Sequence, residues 1–205
     1  MVKTILRRLI IKNGDEINGL NLYAVDDNKA TIQNVHIHNN ADDGIQFFGG
    51  DARVDNLWLT CNEDDSVDWE QGYHGSIENL SILQGGAGYA NVDSAGYAFE
   101  LSSKRYWYSP SSQPRSNGSV TNASITLASG AVQTDEVFRL KNETLGSFTN
   151  IDISGYAGVG CEDIDANSSG SFGSLEFDCN PVDLQENSPA TGFTEASFWS
   201  APACD

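Results

Sequence analysis

Two pairs of adjacent aspartates, Asp42-Asp43 and Asp64-Asp65, stand 22 residues apart in the chain. Each pair leads into a short apolar run, in ADDGIQFFGG (41–50) and EDDSVDWEQG (63–72). Carboxylates brought this close have three uses. They accept hydrogen bonds from turn amides, they ligate a hard cation, or they divide acid and base roles in cleaving a glycosidic bond. Left unpartnered they raise one another's pKa, and their repulsion costs stability. Asp42, Asp43, Asp64 and Asp65 are therefore candidate ligands, with calcium as the ion, although the glycine-rich calcium nonapeptides of β-rolls are absent. Asp43, Asp64 and Asp65 are the candidate acid, base and supporting carboxylate. None of these readings requires a cofactor.

The elements that would position them repeat. IQNVHI (32–37), VDNLWL (54–59), IENLSI (77–82), VTNASI (120–125) and FTNIDI (148–153) share one template: apolar, polar, Asn, apolar, polar, apolar. INGLNL (17–22) is a shifted relative. A period near 22 residues is too short for paired helices and has no leucine-rich consensus. It fits one coil of a parallel β-helix with three short strands, stacked at about 4.8 Å. Alternate residues then point inward: Val35 and Ile37, Leu57 and Leu59, Leu80 and Ile82, Ile151 and Ile153. Each template asparagine takes the bend, because Asn tolerates the left-handed region, and stacked Asn side chains form a ladder. Asn79-Leu80-Ser81 and Asn122-Ala123-Ser124 are thus read as ladder positions and not as glycosylation sites.

A second strand aligns in GIQFF (44–48), SVDWE (66–70), GYAFE (96–100) and VFRLK (137–141). This sends Ile45/Phe47, Val67/Trp69, Tyr97/Phe99 and Phe138/Leu140 inward. It leaves Gln46, Asp68, Ala98 and Arg139 in one outer column and Phe48, Glu70, Glu100 and Lys141 in the next, with Lys141 beside Glu100. The paired aspartates occupy the turn feeding this strand. The expected fold is all-β: a right-handed single-stranded parallel β-helix of about six coils over residues 1–180, with an Asn ladder. A Pro/Ser/Gly-rich insertion spans about 102–118. The tail 181–205, with Phe193, Phe198 and Trp199, loses the repeat and is expected to cover the last coil.

The aspartate spacing resembles that of the polygalacturonases, pectin-lyase-like β-helices with Asn-Thr-Asp followed a coil later by Asp-Asp, then Gly-His-Gly and Arg-x-Lys. Asn40-Ala41-Asp42-Asp43-Gly44 and Asp64-Asp65 stand for the first two elements, and Arg139 and Lys141 for the supporting basic pair. The resemblance implies a glycoside hydrolase or polysaccharide lyase. The threonine is missing, and His74 comes too early, at the turn after the second strand. Residues 19–165, through DDGIQFFGG and DDSVDWEQGYHG, also resemble bacterial exported β-helix proteins that include lipoproteins and parts of larger surface proteins. That likeness implies a secreted or cell-envelope setting and carries no activity with it.

Eleven basic against 29 acidic residues give the 205-residue chain a formal charge of −18. Such a surface repels nucleic-acid phosphates and anionic headgroups and suits cations or neutral glycans. No segment has the ~20 apolar residues that span a bilayer. The opening MVKTILRRLIIKNG lacks a clean signal peptide and reads as a strand already under way, as in a fragment of a longer protein. Cys61, Cys161, Cys179 and Cys204 lack zinc spacing; Cys161 and Cys179 are read as either a disulfide or buried thiols. His36 and His38 flank inward Ile37, so both are expected outward as a potential chelating pair. Trp58, Tyr73, Tyr106, Trp107 and Tyr108 are expected to be exposed and suited to the apolar faces of sugars. Asp68, Glu70, Glu100, Trp58, Tyr73 and Trp107 form the expected ligand-binding set. The leading expectation is a module that binds a polysaccharide or surface protein. The runner-up is a carbohydrate-active enzyme, and the third a structural segment that stacks end to end.

Overall fold

The computed structural model describes residues 4–12, 17–85, 96–103, 114–128, 136–156 and 162–164. Two six-stranded sheets contain all the strands among these described residues. The first runs β1 (Thr4–Lys12), β3 (Ala30–His38), β5 (Arg53–Thr60), β7 (Ser76–Gln84), β9 (Asn117–Leu127) and β11 (Leu145–Ser154). The second runs β2 (Leu20–Val25), β4 (Ile45–Gly50), β6 (Val67–Glu70), β8 (Phe99–Ser102), β10 (Phe138–Lys141) and β12 (Glu162–Ile164). Every pairing is parallel, and each strand pairs with strands two places away in the chain. The chain therefore alternates between the sheets as it climbs.

Two sheets appear where three strands per coil were expected. The template asparagines do not end a strand. Asn34, Asn56, Asn79, Asn122 and Asn150 hold φ of 57°, 57°, 57°, 59° and 57°, so each bends its strand once in the left-handed region. The ladder resumes on both sides, as in Gln33↔Asp55 and Val35↔Leu57. Asn56 Nδ2 donates to Asn34 Oδ1 at 3.0 Å, Asn122 to Asn79 at 3.2 Å and Asn150 to Asn122 at 3.0 Å. Between Asn56 and Asn79 the file breaks, because Asn79 donates to Asp55 Oδ1 at 2.9 Å instead.

The core lies between the sheets. Val35, Ile37, Leu57, Leu59, Leu80, Ile82, Ala123, Ile125, Ile151 and Ile153 fill it from the first sheet, as the alternation predicts. Ile45/Phe47, Val67/Trp69, Phe99/Leu101 and Phe138/Leu140 fill it from the second. Phe99 stacks on Phe138 at 5.1 Å, and Phe148 meets both edge-on at 5.4 and 5.5 Å. Trp69 is fully buried and donates Nε1–H to Thr144 Oγ1 at 3.0 Å. Burying side chains of this size stabilises the fold by roughly 1.5–3 kcal/mol each.

One expected register is corrected. Phe99 pairs with Val67 and Phe138, so Tyr97 and Ala98 belong to the preceding turn. Glu100 then stands in the outer column with Asn21, Gln46, Asp68 and Arg139, not with Phe48, Glu70 and Lys141.

The Cys61 thiol is closed in a disulfide. Its partner is one of Cys161, Cys179 and Cys204, all of which lie outside the described residues, as do Tyr106, Trp107, Tyr108, most of the expected insertion and the 181–205 tail.

Candidate functional site

The acidic turn joins the two sheets, running from β3 to β4 in one coil and from β5 to β6 in the next. Its shape is set from inside by buried amides. Asn40 Nδ2 donates to the carbonyls of Ile17 and Asp43, both at 2.9 Å. Asn62 Oδ1 accepts the Asn40 backbone N–H at 3.2 Å. Gln84 Nε2 donates to the carbonyls of Asp64 at 3.2 Å and Gly96 at 3.0 Å, while Ser66 Oγ donates to Gln84 Oε1. Asn40, Asn62 and Gln84 follow one another at 22-residue steps, a signal that could have revealed them. Asn40 was expected to open a catalytic element; it is buried and holds the turn instead. Gly44 completes the corner, since a Cβ there would lie 2.5 Å from Asn62 Nδ2 and 2.7 Å from the Ser66 carbonyl. That close approach accounts for the glycine of Asp-Asp-Gly.

With the backbone so held, Gly44 N–H donates to Asp65 O at 2.8 Å, which stacks Asp42 and Asp43 on Asp64 and Asp65. Carboxylate oxygens of Asp42, Asp43 and Asp64 lie within 4.8 Å of one another. Asp65 turns away: its Oδ1 accepts the Tyr97 N–H at 2.7 Å, one coil further on. The expected four-carboxylate cation site is therefore a group of three.

Burial governs the charge state. Asp43 is pushed up to about 8, first by burial and then by Asp64, Asp42 and Glu100, with the Asp65 backbone N–H acting against them. Asp64 is raised by burial, Asp42 and Glu100, although its outer side reaches solvent. Asp65 is raised by burial and then by Glu100, Asp43, Asp64 and Asp68. Asp68 is raised by burial, Asp43, Glu100 and Glu70, against Lys141. Asp43 thus holds its proton near neutral pH.

Beside it, the second sheet presents a polar row. The Asn18 side-chain amide lies against Asn21 at 3.0 Å, against Gln46 and, on its other side, against the Asp42 carboxylate at 2.8 Å, and Gln46 Nε2 donates to Asp68 Oδ2 at 2.5 Å. Asp68 Oδ1 is buried and has no hydrogen-bond partner among the described residues. Glu100 contacts Lys141 Nζ and lies 3.7 Å from Arg139 Nε. Arg139 also donates to Tyr97 Oη at 3.0 Å, with its Cζ 5.3 Å above that ring. The expected supporting pair, Arg139 and Lys141, is thus engaged with Glu100 and Tyr97. Glu70 is buried next to Gln71, whose Nε2 donates to it at 3.1 Å.

Other expected positions separate from this site. Tyr73 is a correction: it is fully buried, stacks on Phe47 at 4.3 Å and donates Oη–H to the Ala52 carbonyl at 2.9 Å. Gly72, at φ 80°, turns the chain inward, and Ser116 Oγ accepts the Gly72 and Tyr73 N–H groups. Trp58 is half-buried on the outer face of the first sheet, in register with His36 and Ser81. His36 is also a correction: it is buried, not displayed, and it shares Thr60 Oγ1 with His38, each at 2.9 Å.

Two parallel sheets stacked coil on coil define a parallel β-helix. A family model described as a pectate-lyase like beta helix domain matches residues 9–193, and the chain belongs to that family. No curated protein and no solved structure matches the chain.

Proposed function

We propose that this chain is an exported or cell-surface module that binds a polysaccharide along the outer face of its second sheet. It would be a right-handed β-helix of about six coils over 1–180, with 181–205 as its cap. One observation carries the reading: Asn21, Gln46, Asp68, Glu100 and Arg139 occupy successive strands in one outer column beside the Asp42–Asp43–Asp64 group. A row of amide, carboxyl and guanidinium groups repeating at the strand spacing offers paired donors and acceptors to consecutive sugar hydroxyls. Carboxyl groups outnumber cations here, and Arg139 and Lys141 are both spent on Glu100. The face therefore favours a neutral glycan, or an acidic one brought in with calcium. Calcium fits Asp42, Asp43 and Asp64, whose oxygens are close enough to share one hard cation. The Cys61 disulfide supports an oxidising, extracytoplasmic setting.

Cleavage is the second reading, favoured by a proton-bearing Asp43 beside Asp64. Oxygens within 4.8 Å sit nearer the roughly 5–5.5 Å of a retaining pair than the roughly 6.5–9.5 Å of an inverting one. The test is affinity electrophoresis of the whole chain through hydroxyethylcellulose, xylan, galactomannan, laminarin, agarose and polygalacturonate, each with calcium and with chelator, alongside a reducing-sugar assay. Retardation by at least one polymer, abolished by Gln46→Ala with Glu100→Ala, supports binding. Sugar release lost in Asp43→Asn shifts the conclusion to an enzyme. Free migration through every gel overturns the binding reading, and the absence of sugar release from every polymer overturns cleavage.

A further inference from the structure

Cys61 opens the acidic corner of its coil, directly before Asn62, and its sulfur is bonded to another cysteine of the chain. A disulfide holds its two Cα atoms roughly 4.4–6.8 Å apart and does not bridge more than about 7 Å. Coils rise by roughly 4.8 Å each, so such a bond joins cysteines in one coil or in adjacent coils.

Two ladders give the height of Cys61 in the stack. Along the first sheet Thr60 pairs with Leu83, Leu83 with Thr126 and Thr126 with Ser154. Across the corner Val67 pairs with Phe99, Phe99 with Phe138 and Phe138 with Glu162. Cys61 donates its N–H to the Leu83 carbonyl at 2.8 Å, so it keeps step with these rungs. Glu162 therefore stands three rungs above the coil of Cys61, about 14 Å along the axis. Cys161 is covalently next to Glu162 and recovers at most about 3.8 Å of that distance. The remaining ~10 Å exceeds the reach of a disulfide, which removes Cys161 as the partner. Cys179 and Cys204 are left. Even the nearer of them follows the end of β12 at Ile164 by 15 residues, enough chain to cover roughly 50 Å.

We propose that Cys61 is bridged to Cys179 or Cys204, a clasp that brings the chain beyond β12 back past three coils and ties it to the acidic corner. The bond sits where the corner needs holding. Cys61 takes φ 60°, a left-handed backbone that is costly for a residue with a Cβ. Beside it the Glu63 N–H donates to the Asn40 carbonyl at 2.8 Å, and the Ser66 N–H to the Tyr97 carbonyl at 2.9 Å. Opening the clasp takes two electrons and two protons and leaves two thiols; dithiothreitol supplies them as it closes into its own cyclic disulfide. The order of the corner that carries Asp64 and Asp65 thus depends on an oxidising setting, whether or not the outer face binds a glycan.

The test is digestion of the oxidised whole chain at glutamate, without reductant and at mildly acidic pH to suppress exchange, followed by mass spectrometry. Cleavage after each Glu places Cys61, Cys161, Cys179 and Cys204 in the separate fragments 17–63, 144–162, 177–186 and 196–205. Fragment 17–63 joined to 177–186 or to 196–205 is the expected result. The same fragment joined to 144–162, joined to a second copy of itself, or carrying a free thiol overturns the clasp. Hydrogen exchange reads its effect on the corner. Dithiothreitol, or Cys179→Ser with Cys204→Ser, should speed exchange at the Cys61, Glu63 and Ser66 N–H groups about tenfold relative to Leu57 and Leu59. Cys161→Ser should leave those rates alone. Equal rates at the corner in the oxidised and reduced chain overturn its dependence on the bond.

Discussion

Replacing Asp43 by asparagine should make the protein more stable at pH 8 and remove part of its pH dependence. Asp43 rises from an ordinary value of 3.8 to about 8 in the folded chain. A carboxyl raised on folding binds its proton more tightly in the native state than in the unfolded one. Its contribution is complete below about pH 4 and fades as pH climbs through the folded value. At 1.36 kcal/mol per pH unit the full span amounts to about 5–6 kcal/mol as an upper figure. Between pH 5.5 and 7.5, one such group lowers stability by about 2.7 kcal/mol. In a chain of this size that is a fall in melting midpoint of roughly 5–10 °C. Asp64, Asp65 and Asp68 are raised as well and steepen the fall in the same sense. The assay is a series of thermal melts from pH 5 to 8.5 in chelator, on wild type and Asp43→Asn. The wild type should lose stability as pH rises, and the variant should lose less. A wild-type midpoint that holds or climbs over that range refutes the argument, as does a variant with the same slope. Calcium gives an internal control: an ion on Asp42, Asp43 and Asp64 displaces the proton, so saturating calcium should flatten the wild-type slope.

Three further outcomes follow from the frame. Asn56→Ala should cost roughly 2 kcal/mol in urea unfolding, from left-handed strain and the lost bond to Asn34, while Asn56→Gly, free of strain, should cost about half as much. Tyr73→Phe should cost about 1 kcal/mol by removing one of the two donors to the Ala52 carbonyl, which keeps the Ser76 N–H, whereas Trp69→Ala, emptying a fully buried site, should cost about 3–5 kcal/mol. Reducing the Cys61 disulfide should lower stability by roughly 2–5 kcal/mol in the same unfolding experiment, and an unchanged midpoint would contradict a closed bridge.

Much of the frame was legible because a coil writes its geometry into the chain as a repeat. Asn34, Asn56, Asn79, Asn122 and Asn150 marked the bends, and Leu57, Leu59, Leu80 and Ile82 marked the inner face. The slip at Glu100 shows where this fails. In GYAFELS both Tyr97/Phe99 and Phe99/Leu101 read as inward apolar pairs, and a shift of two residues keeps every side chain on its own face. Pattern cannot choose between such registers; the ladder to Val67 and Phe138 does. Tyr73 was misplaced for another reason. A tyrosine between glycines after a strand looks like a surface turn, and only tertiary packing against Phe47 and Trp69 reveals it as core. Asn40 was given a catalytic place, and Asn62 and Gln84 none, because polar residues are read outward by default. Their spacing carried the information, but their burial depends on carbonyls supplied by a neighbouring coil.

The chain leaves β7 after Gln84 and re-enters the first sheet at Asn117 with its pairing to β7 unbroken, Ser76 opposite Ser119 and Ile82 opposite Ile125. Whatever is strung between those points, the stack resumes its beat as though no excursion had been made. Such a corner can be lengthened, shortened or exchanged over generations without disturbing the rungs above and below. The architecture thus separates what must stay constant from what is free to vary, and new recognition surfaces can be grafted at its corners one coil at a time.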